Sequence, residues 1–233
     1  MESQKITFAD SAPSRRRYDD ACGAAHALDL VGERWALLVM RELMLGPKRF
    51  SDLRRDLPGI SANVLTQRLE GLEETGVLVR RRLPPPASTQ VYELTPWGYE
   101  AEPILQVLGR WAARSPSHDP TLPFSAVSLL LSFRTMVDPA RAAGLQLTAR
   151  LRIGNESYEV RVTNAGVEAE RGDPKQPDFT FTGPATVIAA AVYGGVPLEA
   201  LESQHVLKVD GNRRAAEKFV TLFPLPPKVG AEP

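Results

Sequence analysis

The sequence predicts an α+β chain of two domains: a mostly helical domain closed by a two-stranded hairpin, then a domain of antiparallel sheet with helices. Three observations carry this reading. From Cys22 to about Arg114 the text runs in short helical stretches. The segment RSPSHDPTLP at 114–123 interrupts every periodicity and is rich in proline and serine. Beyond it, several stretches alternate apolar and polar residues, with turn signals between them. At 233 residues the chain is also longer than most single cores need. The expected division is an arm over 1–20, a first domain over 21–114, a linker over 115–123 and a second domain over 124–227.

The bulk numbers mainly exclude. Lys plus Arg and Asp plus Glu both total 28, so only local clusters can attract a polyanion. A single cysteine, Cys22, rules out an internal disulfide framework. The first twenty residues lack the apolar core of a signal peptide, and no apolar run reaches about 18 residues. A soluble, cytoplasmic protein with no membrane partner is expected.

In the first domain, ERWALLVMRELML (33–45) is apolar around most of its circumference and reads as a buried helix, with GP at 46–47 ending it. Ser51 is the expected cap of a short helix over DLRRDL. PGI at 58–60 then makes a turn, and Ser61 is placed to cap ANVLTQRLEGLEET. On that last helix Ala62, Leu65, Leu69 and Leu72 form one stripe. Gly76 stops it. Two helices joined by a short turn follow the helix-turn-helix plan.

The second of these helices is polarised along its length. Its first two turns offer Asn63, Thr66, Gln67 and Arg68, the amide, hydroxyl and guanidinium groups that pair with base edges. Its last turns carry Glu70, Glu73 and Glu74, which repel phosphates. Only the front half suits a groove. The β-prone runs VLVRRRL and QVYELT, joined by PPPAST, spell a wing. By alternation Arg80 and Arg82 share one face and Arg81 takes the other. Such guanidinium groups hold phosphates. Base reading is therefore expected from Ser61, Asn63, Thr66, Gln67 and Arg68, and phosphate contact from Lys48, Arg49, Arg54 and Arg80–Arg82.

Taken together, Gly32-x-x-Trp35, GPKRFSDLRR, GIS…VLTQRLEGLEETG, the wing and Leu108-x-x-Trp111 resemble the HxlR family of bacterial winged-helix regulators over residues 22–112. The resemblance implies a homodimer that binds palindromic operator DNA, usually as a repressor. It also implies dimerisation through the region around Ala21–Val31 and through the helix after the wing, where Ile104, Leu105, Leu108 and Trp111 make an apolar stripe. Several such regulators sense oxidants at a cysteine near the start of the first helix. Cys22 is the candidate here, followed by Gly23 rather than the usual proline. Asp19 and Asp20 are expected to raise its pKa, with Arg15–Arg17 opposing them.

In the second domain, strands are expected over 145–153, 157–163, 166–171 and within 177–184. Helices are expected over ATVIAAAVYGG and LEALES, with HVLKV as a strand and DGNRRAAEKFVTLF as a last helix. This order resembles the sterol-carrier-protein fold over about 125–224, which implies an apolar cavity between sheet and helices. Its candidate lining residues are Leu129, Leu130, Phe133, Ile188, Val192 and Phe219, taking an apolar small-molecule effector. No nucleophile elbow, phosphate loop or dinucleotide fingerprint is present, and His26, His118 and His205 lie far apart without companion ligands. No enzyme, metal or cofactor is expected. The rival reading is a lipid or small-molecule binding protein whose winged helix mediates protein contacts.

Overall fold

In the computed structural model, which describes residues 18–230, the helical text of the first domain resolves into six helices and a hairpin. These are α1 (Gly23–Val31), α2 (Ala36–Leu43), α3 (Phe50–Asp56), α4 (Ala62–Glu74), β1 (Leu78–Arg82), β2 (Gln90–Leu94), α5 (Pro96–Tyr99) and α6 (Glu102–Ala113). The buried helix expected over 33–45 is shorter, because Trp35 takes a left-handed backbone at φ +80° and α2 starts only after it. The short helix begins at Phe50 with Arg49, not Ser51, in the cap position. Ser61 caps α4 as expected, its hydroxyl oxygen accepting from the Val64 N–H at 3.2 Å. Leu65, Leu69 and Leu72 of the expected stripe are buried, and Gly76 at φ +73° ends the helix. In the wing, Arg80 stands opposite Tyr92, Arg81 opposite Val91 and Arg82 opposite Gln90. Lys48 adds a further rung by exchanging two backbone hydrogen bonds with Tyr92.

The second domain comprises α7 (Ala126–Met136), α8 (Pro139–Ala142), β3 (Leu147–Ile153), β4 (Glu156–Thr163), β5 (Gly166–Arg171), β6 (Phe179–Thr182), α9 (Ala185–Tyr193), α10 (Leu198–Ser203), β7 (Lys208–Gly211) and α11 (Arg213–Val220). Its five-stranded sheet has the order β5-β4-β3-β6-β7 and is antiparallel except where β3 pairs with β6. Alternation is clean on β3 and β4, where Leu147, Ala149, Leu151, Tyr158, Val160 and Val162 point inward. The strand expected at HVLKV lies later, at Lys208–Gly211, because His205 turns the chain with a left-handed φ of +59°.

The six residues proposed to line an internal cavity are all buried in the core of the second domain. Phe133, Phe219 and Phe223 pack ring on ring at centroid distances of 4.5–5.3 Å, and Phe179 joins them against Phe219 at 5.4 Å. Leu129, Leu130 and Ile188 are equally closed off from solvent, and Val192 nearly so.

The two domains share that core rather than hanging from a free linker. Buried residues run continuously from α2 and α4 through α7 to the sheet. Arg134 on α7 forks onto Glu102 of α6 with two bonds of 2.7 Å. Lys228 donates to the carbonyls of Ala113, Ser115 and His118, so the C-terminal segment clamps the inter-domain stretch.

Candidate nucleic-acid interface

The front of α4 is open. Ser61, Asn63, Thr66 and Gln67 are all exposed, while Leu65 between them anchors the helix to the core. On the preceding helix Arg49 and Arg54 are exposed toward the two ends of α3 and make no ion pair among the described residues. Four uncharged polar side chains on α4 and two exposed guanidinium groups on α3 supply hydrogen-bonding capacity and positive charge.

Two of the expected contacts are placed elsewhere. Lys48 is 4% exposed, and its ammonium is held by Glu42 at 2.8 Å and Asp56 at 2.7 Å. Its backbone pairing with Tyr92 carries the side chain inward, so it is a strut between α2, α3 and the wing and not a phosphate ligand. Arg68 lies half-buried on the flank of α4, paired with Glu33 at 3.1 Å, and its Nε finds no partner among the described residues. It braces α4 against the chain entering α2.

The wing arginines are exposed but partly engaged. Arg80 pairs with Glu73 at 3.1 Å and its guanidinium lies 5.5 Å from the centre of the Tyr92 ring. Arg81 pairs with Glu93, and Arg82 donates to the Ser88 carbonyl at 3.0 Å. Exposed pairs of this kind contribute about 0–1 kcal/mol and exchange readily for a phosphate.

Beneath the interface runs a charged chain that sequence reasoning did not find. Glu42, with 0% of its surface exposed, accepts from Lys48, from Arg41 at 3.0 Å and from Ser125 of the second domain at 2.7 Å. Burial raises the Asp56 carboxyl, but hydrogen bonds from Arg55 and Lys48 outweigh it and hold the group below the usual carboxylate range. The sequence signal was Glu42 itself, a charge on a helix otherwise destined for the interior.

A second surface is apolar. On α6, Ile104, Val107, Leu108 and Trp111 face solvent, Trp111 with 72% of its surface exposed. None of the residues of α1 is buried, although the helix reads GAAHALDLV. Leu105, expected on the same stripe, turns the other way, toward a cleft between the domains. Cys22 is exposed at the N-terminal cap of α1, where the backbone N–H groups of Ala24 and Ala25 hold its thiol below the ordinary value. The shift is thus downward, against the increase expected from Asp19 and Asp20; an Asp20 carboxylate oxygen accepts the Cys22 N–H at 2.9 Å. Arg15–Arg17 lie outside the described residues.

Residues 30–119 match the family described as HxlR-like helix-turn-helix, and residues 123–228 match the family described as alkyl sulfatase C-terminal. YvaP of Bacillus subtilis, an uncharacterized HTH-type transcriptional regulator, is 37% identical over 86 residues, which span 37% of this chain and 80% of YvaP. YodB, an HTH-type transcriptional regulator of the same organism, is 36% identical over 86 residues, spanning 37% of this chain and 77% of YodB. The solved reduced form of YodB is 32% identical, covers 43% of this chain and all of its own, and superposes with a TM-score of 0.38. Among the described residues no helix is long and apolar enough to cross a membrane.

Proposed function

Since this chain belongs to the HxlR family of helix-turn-helix transcriptional regulators, we propose that it is a cytoplasmic repressor that binds palindromic operator DNA as a homodimer and responds to an apolar small-molecule effector. The observation that carries the reading is the exposed front of α4 with Asn63, Thr66 and Gln67, preceded on α3 by exposed Arg49 and Arg54, which make no ion pair among the described residues. In this docking the front of α4 enters the major groove, with amides reaching base edges. Arg49, Arg54 and the wing arginines Arg80–Arg82 lie on phosphate.

The homodimer rests on the unburied α1 and the outward stripe of α6, which together leave large side chains such as Leu28, Val107 and Trp111 in water. An isologous pairing of these helices relates two copies of α4 by a twofold axis, and a twofold axis demands a palindromic site. A dimer seated across a promoter excludes polymerase, which is repression. No catalytic step, metal or cofactor enters this reading. The exposed Cys22 with its lowered thiol favours a second trigger, modification of that sulfur.

The test is selection of bound duplexes from a random pool at fixed ionic strength, with mass determined by light scattering. A palindromic consensus enriched by a dimer supports the proposal. A dimer that enriches no sequence, or a monomer that binds single sites, contradicts it.

A further inference from the structure

We infer that the cleft between the two domains binds an uncharged, largely apolar small molecule, and that its occupancy alters how α4 is presented to DNA. The first clause stands on the cleft alone; the second rests on the DNA-binding function proposed above.

The cleft has a volume of about 770 Å³, within the range of roughly 300–1,000 Å³ in which small-molecule sites fall. Its apolar walls come from both domains: Leu37 of α2 and Leu105 of α6 on one side, Phe124, Leu131 and Met136 on the other. The polar groups are few. Ser132 spends its hydrogen on the Leu129 carbonyl at 2.7 Å, so at the 2.6 Å contact Tyr193 is the donor. Burial pushes the Tyr193 phenol up, which keeps it protonated, and its oxygen retains acceptor capacity toward the cleft. His118 lines the cleft with a buried Nδ1 that has no partner among the described residues. A buried nitrogen without a partner is costly, and a ligand hydroxyl, amide or carbonyl satisfies it.

The charges select against ions. Of the charged side chains lining the cleft, Arg41 is paired with Glu42, Arg55 with Asp52 and Asp56, and Asp56 with Lys48. A charged ligand therefore enters without a free counter-charge and loses its hydration uncompensated. A neutral molecule with one or two hydrogen-bonding groups does not.

The cleft also touches the part of the fold that aims the recognition helix. Trp35, whose left-handed backbone marks a constrained position, lines it together with Asp56, Leu57 and Pro58 at the entry to the turn before α4. In that turn a Cβ added to Gly59 would lie 3.8 Å from the Trp35 ring. A molecule wedged between α7 and Trp35 thus bears on the turn itself. Leu108 borders both the cleft and the outward stripe of α6, but at about 100° per residue Leu105, Gly109 and Ala112 form a face turned away from Ile104, Val107 and Trp111.

The full chain is titrated with Nile red, a neutral apolar dye with carbonyl and amine acceptors. The expected result is saturable, blue-shifted fluorescence at one dye per chain. Gly109→Trp, at a position with open space where the side chain starts, should weaken binding at least tenfold. Ala112→Phe fills the cleft from a second position and keeps the test decisive should the first variant fail to melt cooperatively. Val107→Glu, on the outward stripe, should retain binding within about twofold. No saturable binding by the wild type, undiminished binding by both filling variants, or loss confined to Val107→Glu overturns the site. Saturating dye should shift wild-type affinity for the selected operator at least fivefold and leave Gly109→Trp unmoved. An unshifted affinity overturns the coupling clause. Failure of the protein to bind any operator sinks the DNA-binding function and the coupling with it, while the dye titration still decides the site.

Discussion

Ser125 gives its hydroxyl hydrogen to the Glu42 carboxylate at 2.7 Å, and this one bond joins the second domain to the deepest charge of the first. The same Ser125 oxygen accepts the Ser128 N–H at 3.0 Å and so caps α7. A single hydroxyl thus starts a helix in one domain and satisfies a buried carboxylate in the other. The domains are expected to unfold together.

Ser125→Ala removes the cap and one donor to the carboxylate. Loss of an N-cap costs about 0.5–2 kcal/mol and a hydrogen bond to a charged group about 1.5–3 kcal/mol. A destabilisation of about 2–5 kcal/mol is expected in urea, within one transition. Ser61→Ala loses only a cap and should cost about 1 kcal/mol. Equal costs for the two variants would contradict the inter-domain role of Ser125.

Lys48→Met leaves Glu42 and Asp56 facing each other without their shared cation. Breaking a buried pair by removing one partner costs about 3–5 kcal/mol. Measured at a temperature where the variant stays folded, the salt dependence of its DNA binding should match the wild type. Arg54→Ala should do the reverse, leaving stability within about 0.5 kcal/mol and lowering the salt slope by about one. A reduced salt slope in Lys48→Met would restore Lys48 to the interface.

The acid limb of stability reports on Asp56. Its pKa is lower in the folded state than unfolded, so the unfolded chain binds more protons and stability rises with pH across that window. The contribution is complete above the ordinary Asp value of about 3.9 and is lost as pH falls through the folded value. Asp56→Asn should be less stable than the wild type near neutrality and should lose less on acidification below about pH 4. Parallel pH profiles for the two proteins would contradict this.

Val107→Glu places a charge in the middle of the outward stripe of α6. Light scattering should give a monomer, with operator affinity reduced and the melting temperature nearly unchanged, because Val107 is exposed in the single chain. A dimer of wild-type stability would move the interface elsewhere.

Much of this was legible in the sequence where the determining interactions are local. The leucine stripe of α4 (Leu65, Leu69, Leu72), the Ser61 cap, the Gly76 stop and the pairing of the wing strands depend on neighbours a few residues away and appear as read, although Ala62 stays half-exposed and Gly71 is buried. What was missed depends on distant partners. Nothing within a few residues of Lys48 shows that Tyr92 draws its backbone into the sheet, or that Asp56 takes its ammonium. The parallel pairing of β3 with β6 joins segments about thirty residues apart, and amphipathic patterns do not encode it. The core of the second domain depends on distant partners in the same way: apolar periodicity identifies Phe133 and Phe219 as inward-facing but does not reveal that their rings meet edge to face at 5.3 Å.

The central claim is that Asn63 and Gln67 read base edges. The most direct measurement is fluorescence anisotropy of the wild type and of Asn63→Ala/Gln67→Ala against the selected operator and a scrambled duplex at one ionic strength. The wild type should prefer the operator by about a thousandfold or more. The double variant should lose about 2–6 kcal/mol of that preference, since each lost bidentate contact removes about 1–3 kcal/mol, while affinity for the scrambled duplex stays the same. If both proteins discriminate equally well, the front of α4 does not read the sequence and the account fails.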